Sequence, residues 1–195
     1  MRRKWIALGI AALWFGCAER HAPPPPELPV LMKAPEFAGL TAEGQPFHSH
    51  QLQGKVVVVS FFFTSCTGPC PVMNSRLSVL QAQFANEPDV RFVSITVDPE
   101  RDTPERLRAY AQRYGAKPER WIFLRMSPDS VEWLATKGFR VPGSATQPDL
   151  HSTRYILLDR QGNVRGYFSA LDEQQVQQLE QALRQLLHES NRATQ

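Results

Sequence analysis

Three features of the sequence predict an α/β sandwich, a central mixed sheet flanked by helices. Apolar, β-branched runs recur at residues 55–63, 90–97 and 121–124, each of strand length. Segments with apolar residues at helical spacing follow each of them. Residues 153–158 and 164–168 then flank Asp159-Arg-Gln-Gly-Asn163, a β-hairpin signature that leads into a last amphipathic segment. With 195 residues, 42% of them hydrophobic, the chain can build one domain with a substantial core, and no second large domain is expected. A net charge of +3 without a basic run interleaved with aromatics gives no case for nucleic acid.

Arg2, Arg3 and Lys4 precede an apolar stretch from Trp5 to Gly16, too short for a comfortable transmembrane helix and right for a secretory signal. Residues 1–17 therefore read as a targeting segment. Residues 18–33, with prolines at 23–26, read as a semi-rigid linker in which His21 is solvated. The folded domain is expected at 34–190, followed by a short tail at 191–195.

Within the domain, residues 35–37 and 41–47 suggest short strands around a turn at Glu43-Gly44. His48 and His50, at alternate positions, could share one face and bind metal, but with no third ligand nearby they read as surface polar residues. The run at 55–63 is apolar without alternation, as in a strand buried on both faces. Cys66-Thr-Gly-Pro-Cys70 follows, and Pro71 opens a helix with Val72, Leu77 and Leu80 on one side. After the second strand, Asp102 or Thr103 can cap a helix with Pro104 near its first position, and Leu107, Tyr110, Ala111 and Tyr114 continue its face to Gly115. The third strand leads to a helix over 127–137, with Pro128 in its first turn and Gly138 as its stop. A loop over 141–150 ends at His151, just before the hairpin, and Val176, Leu179, Leu183 and Leu186 stripe the final helix over 173–187. This order of elements specifies a sandwich of thioredoxin type.

A cysteine pair between a strand and a helix has a chemical consequence. Unpaired N–H groups and the positive end of the helix dipole favour thiolate, and thiolates attack disulfides and bind soft metals. The bland alternatives are a stapling disulfide or two inert thiols; a staple closing so small a loop would constrain the unfolded chain little. The sequence contains no phosphate loop, no H-E-x-x-H and no G-x-S-x-G elbow.

Four stretches together resemble the Sco/SenC family, from about Ala34 to Leu187. They are Cys66-Thr-Gly-Pro-Cys70-Pro71, similar to that family's CxxxCP; Val97-Asp-Pro-Glu-Arg-Asp-Thr-Pro104; Trp121-Ile-Phe-Leu124; and His151-Ser152 with Tyr155 to Asp159 and Gly162. The family loop often reads CPxxC, whereas here Thr67 follows the first cysteine and Pro69 precedes the second. The resemblance implies a thioredoxin-fold copper-binding protein that helps assemble the dinuclear copper centre of cytochrome c oxidase, with Cys66, Cys70 and His151 as ligands of Cu(I) or Cu(II). It also implies the oxidase's copper subunit as partner, with a periplasmic copper chaperone or a thiol reductase as a further one. The expected place is the bacterial cell envelope, on the periplasmic face of the inner membrane.

Residues 1–17 are similar to a bacterial lipoprotein signal, which implies a lipid on Cys17 and membrane attachment through the N-terminus. An uncleaved anchor and an ordinary cleaved signal are the alternatives. Thiolates select Cu(I) and an imidazole suits both copper states, so the ligand set is chemically coherent provided that the fold brings the histidine loop over the cysteine loop. The enzyme alternative is a thiol–disulfide reductase acting through Cys66 and Cys70 on the oxidase's copper-ligand cysteines. A peroxidase of the same fold would want a threonine where Phe63 stands. Asp98, Arg101 and Asp102 could position the loop electrostatically, and capping explains Asp102 equally well.

Overall fold

Val56–Phe62 (β4) is buried at all seven positions, so it must lie inside the sheet with material on both faces. The computed structural model, which describes residues 27–192, places it there. The other strands are β1 (Met32–Lys33), β2 (Ala38–Thr41), β3 (Pro46–His48), β5 (Val90–Thr96), β6 (Trp121–Arg125), β7 (Arg154–Leu158) and β8 (Asn163–Ser169). The helices are α1 (Cys70–Gln83), α2 (Pro104–Arg113), α3 (Pro128–Trp133) and α4 (Glu173–Arg192). The strands form one mixed sheet in the order β1-β8-β7-β4-β5-β6-β2-β3. β4, β5 and β6 are parallel, and β7 runs antiparallel to β4.

Two adjacent phenylalanines of β4 show how the layers are arranged, because neighbours on a strand point to opposite faces. Phe62 stacks on Tyr110 of α2, while Phe61 meets Phe139, beyond α3, edge to face. On the first face α1 is tied to α2 and the turn after it, where Asn74 donates to the Tyr110 hydroxyl and Gln81 to the Gly115 carbonyl. On that face α1 also meets α4, through Arg76 with Glu173 and Arg184 over the Phe84 ring. Because β4 and β7 are antiparallel, with Val59 opposite Ile156, the start of β7 lies at the C-terminal end of β4. His151 and the cysteine loop are thereby brought to one end of the sheet.

Several elements depart from the sequence expectation. The sheet begins at Met32, pairing with Val164, so the linker expected to run to residue 33 ends earlier. Arg165 explains why: its buried guanidinium donates to the Leu28 carbonyl and pairs with Asp159 and Glu189, holding the incoming chain against the sheet. The first hairpin is formed by β2 and β3 rather than by 35–37, with Gly44 at the positive φ that its turn demands. α1 opens at Cys70, one residue before Pro71. α3 ends at Trp133 and passes into a π turn, Leu134–Gly138, where a single helix was expected. Helix α4 continues to Arg192, past the expected domain end.

The targeting segment and Cys17 lie outside the described residues. Among the described residues no helix is long and apolar enough to cross a membrane.

Candidate metal centre

The backbone of the cysteine loop is fixed at both ends. At its start, the Cys66 amide donates to the Phe63 carbonyl. At its end, Cys70 is the first residue of α1, and the Asn74 side-chain amide, one turn on, donates to the Cys70 carbonyl at 2.9 Å. Cys70 is wholly buried, whereas Cys66 is partly exposed, and both are free thiols.

His151 arrives from the other side of the sequence. A short 3-10 turn, Pro148–Leu150, ends with the His151 amide donating to the Pro148 carbonyl, and the imidazole packs edge-on against the Phe63 ring at 5.5 Å. Its Nδ1 lies 3.0 Å from the Ser152 carbonyl oxygen, which can only accept, so Nδ1 carries the proton and Nε2 presents its lone pair. That Nε2 is 3.3 Å from Cys70 Sγ. Cys66, Cys70 and His151 thus converge with their ligand atoms all within 4.8 Å of one another, the only such group of three among the described residues.

The electrostatics favour a neutral imidazole at His151 and a protonated thiol at Cys70 before a cation enters. Burial, the largest influence on His151, pushes its imidazole below the usual range and keeps it neutral at pH 7. Burial also pushes the Cys70 thiol far above the ordinary cysteine range, against a hydrogen bond to the Phe63 backbone, with Cys66 and Asp102 adding to the rise. The expected preference for thiolate at the helix end is therefore overturned at Cys70, because desolvation outweighs the helix terminus. A thiol there donates to His151 Nε2, and a soft cation held by these residues would displace that proton. Two sulfurs and one fixed imidazole nitrogen suit copper in either oxidation state.

Asp102 does not cap α2. Thr103 does, its hydroxyl accepting from the Arg106 amide. Asp102 instead accepts from the Thr64 amide at 3.0 Å and from the hydroxyls of Thr64 and Thr96. Thr64 and Thr96, which the sequence reading passed over, connect the ends of β4 and β5 beneath the cysteine loop. Polar residues at the ends of two apolar runs were the available signal. His48 and His50 are exposed, with their rings stacked at 5.3 Å, as expected of surface residues.

Comparison with known proteins fixes the family. The family model described as SCO1/SenC matches residues 29–188. The chain belongs to the SCO1/SenC family. A SCO2-like protein of Rickettsia prowazekii is 37% identical over 141 residues, covering 68% of this chain and 67% of that one. A protein of Stutzerimonas stutzeri named as a candidate copper-binding protein is 31% identical over 150 residues, covering 73% and 72%. Among solved structures, BsSco, a member of the Sco family of cytochrome c oxidase assembly proteins in which a disulfide switch was identified, superposes with a TM-score of 0.72 at 25% identity, over 80% of this chain and 94% of that one. The thioredoxin-like fold expected of this SCO1/SenC protein is the fold it has.

Proposed function

We propose that this SCO1/SenC protein binds copper through Cys66, Cys70 and His151 and delivers it to the dinuclear copper centre of cytochrome c oxidase. The family is one of copper-binding proteins in oxidase assembly, which sets the class of reaction. The observation that carries the reading to this chain is the convergence of two thiols and an imidazole whose lone pair faces them. The site lies at the surface end of the sheet, with Cys66 partly exposed, so an incoming thiolate of the oxidase's copper subunit could reach the ion without unfolding the pocket. Attachment of the chain to the periplasmic face of the inner membrane, by a lipid on Cys17, would keep it beside that partner.

A thiol–disulfide reductase is the second reading. It is favoured by the unequal exposure of the pair, Cys66 reachable and Cys70 buried behind it, as dithiol exchange requires. His151 separates the two, since metal binding needs its nitrogen and dithiol exchange does not. In cells at limiting copper, His151→Ala is expected to cripple oxidase assembly while Cys66 and Cys70 still cycle between dithiol and disulfide. Full oxidase activity in His151→Ala, with none in Cys66→Ala, would replace copper delivery by thiol reduction.

A further inference from the structure

Asp102 has no exposed surface, and no lysine, arginine or histidine among the described residues pairs with it. The adjacent Arg101 turns to Asp98 instead, at 3.4 Å. A buried carboxylate is ordinarily paired with a cation or placed near a metal, because desolvating an isolated charge is costly. Here three hydrogen-bond donors from Thr64 and Thr96 hold it in position, and they contribute dipoles but no net charge. Thr64 is two residues before Cys66, so the carboxylate that its amide and hydroxyl donate to lies at the base of the cysteine loop.

The consequence follows from counting charge. Both cysteines must be thiolates to ligate, giving the donor set two negative charges, with a neutral imidazole. Bound Cu(I) leaves the centre with a net negative charge, and bound Cu(II) leaves it neutral. A fixed carboxylate in a low-dielectric setting repels the first form and is indifferent to the second. We propose that Asp102 both positions the cysteine loop through Thr64 and sets the ion preference of the centre, disfavouring Cu(I) relative to Cu(II). The proposal rests on the copper reading of Cys66, Cys70 and His151, and assigns this positioning residue a role in which oxidation state the protein retains.

Two substitutions separate position from charge. Asp102→Asn keeps one oxygen to accept from the Thr64 amide and the Thr96 hydroxyl, while its NH2 can donate to the Thr64 hydroxyl, so the loop stays in place without the charge. Asp102→Ala removes both. Anaerobic competition titrations with a Cu(I)-selective and a Cu(II)-selective chelator give the two affinities for the wild-type chain and each variant. Asp102→Asn is expected to shift the ratio of the two affinities towards Cu(I) by on the order of tenfold, the scale of one charge interacting across a partly buried separation, with the Cu(II) absorption spectrum unchanged. Asp102→Ala is expected to weaken both ions, because the Thr64 amide loses its acceptor. Should the asparagine variant not fold, Asp102→Ser, whose hydroxyl can accept from that amide, carries the same expectation of a shifted ratio. An unchanged ratio in a folded neutral variant overturns the assignment to Asp102. Failure of the wild-type chain to bind either ion, or binding that survives Cys66→Ala and Cys70→Ala together, overturns the copper reading itself.

Discussion

At the scale of single residues, the Cys70 thiol governs how the centre fills. Burial holds its proton well above the ordinary range, so under the proposed ligation that proton would have to leave when copper enters. Cys70 alone therefore makes the apparent copper affinity rise about tenfold for each pH unit between pH 6 and 8, since each unit removes a tenfold excess of competing proton. Chelator competition at three pH values measures the slope, and a flat profile would mean that Cys70 is not a ligand or is already ionised. Cys66 and Cys70 were legible in the sequence as a reactive pair, because cysteines at a strand–helix boundary carry their chemistry in their spacing, whereas His151, a lone loop histidine, was reached only through the resemblance to the Sco/SenC family. The protonation of Cys70 was not legible. It depends on how deeply the first turn of α1 sinks beneath the histidine loop, which only the packed fold decides. The sequence left Asp102 open between capping and positioning the loop for a related reason: Asp and Thr are both good N-caps, and the choice between them was made by Thr64, just past β4, and Thr96, at the end of β5.

At the scale of elements, the loop that carries His151 is held by a close approach and an anchor. Gly143 lies against the π turn after α3, where an added Cβ would stand 2.6 Å from the Ala135 Cβ, and Glu132 accepts from the Ala145 amide and the Ser144 hydroxyl. Gly143→Ala is expected to displace the loop and weaken copper binding several-fold, with a smaller effect on thermal unfolding of the metal-free protein. Equal copper affinity in that variant would detach this loop from the placement of His151. The helix cap offers a contrast: Thr103→Ala should cost about 1 kcal/mol of stability, read from a denaturation curve, and leave copper binding intact.

Asp89 joins the starts of β4 and β5 to the hairpin, accepting from Lys55 at 2.7 Å and Arg160 at 2.6 Å. The hydrogen bond from Lys55, followed by that from Arg160, lowers its carboxyl to about 2. A depressed carboxylate stabilises the fold above its unfolded value and loses that contribution as pH falls through the folded value. Asp89→Asn should therefore flatten the stability profile between about pH 4 and pH 2. Because the Asp89 side chain is 34% exposed and its charge is partly screened by solvent, the loss at pH 7 should be no more than about 1 kcal/mol. An unchanged acid limb would place the acid sensitivity elsewhere. The β4, β5 and β6 strands, their alternation with helices and the β7–β8 hairpin could be read from periodicity and turn signals. The β1 pairing and the π turn could not, since one goes with Arg165 reaching Leu28 across the molecule and the other with the Phe139 amide donating to the Leu134 carbonyl five residues back.

At the scale of the whole molecule, the fold's contribution is to bring together groups that are remote in sequence. Cys70 and His151 meet only because β7 runs back along β4, and the N-terminal segment is fastened near Val164, at the opposite end of the sheet from the metal centre. Oxidation of Cys66 and Cys70 to a disulfide consumes both sulfur ligands, so the oxidised protein is expected to bind no Cu(I), and tight binding by it would remove the cysteines from the ligand set. The most direct test is the copper K-edge absorption spectrum of the copper-loaded protein, recorded for wild type and His151→Ala. The expected first shell is two sulfurs and one imidazole nitrogen, with the nitrogen lost in the variant. A shell without sulfur, or one that His151→Ala leaves unchanged, would contradict a copper centre built from Cys66, Cys70 and His151.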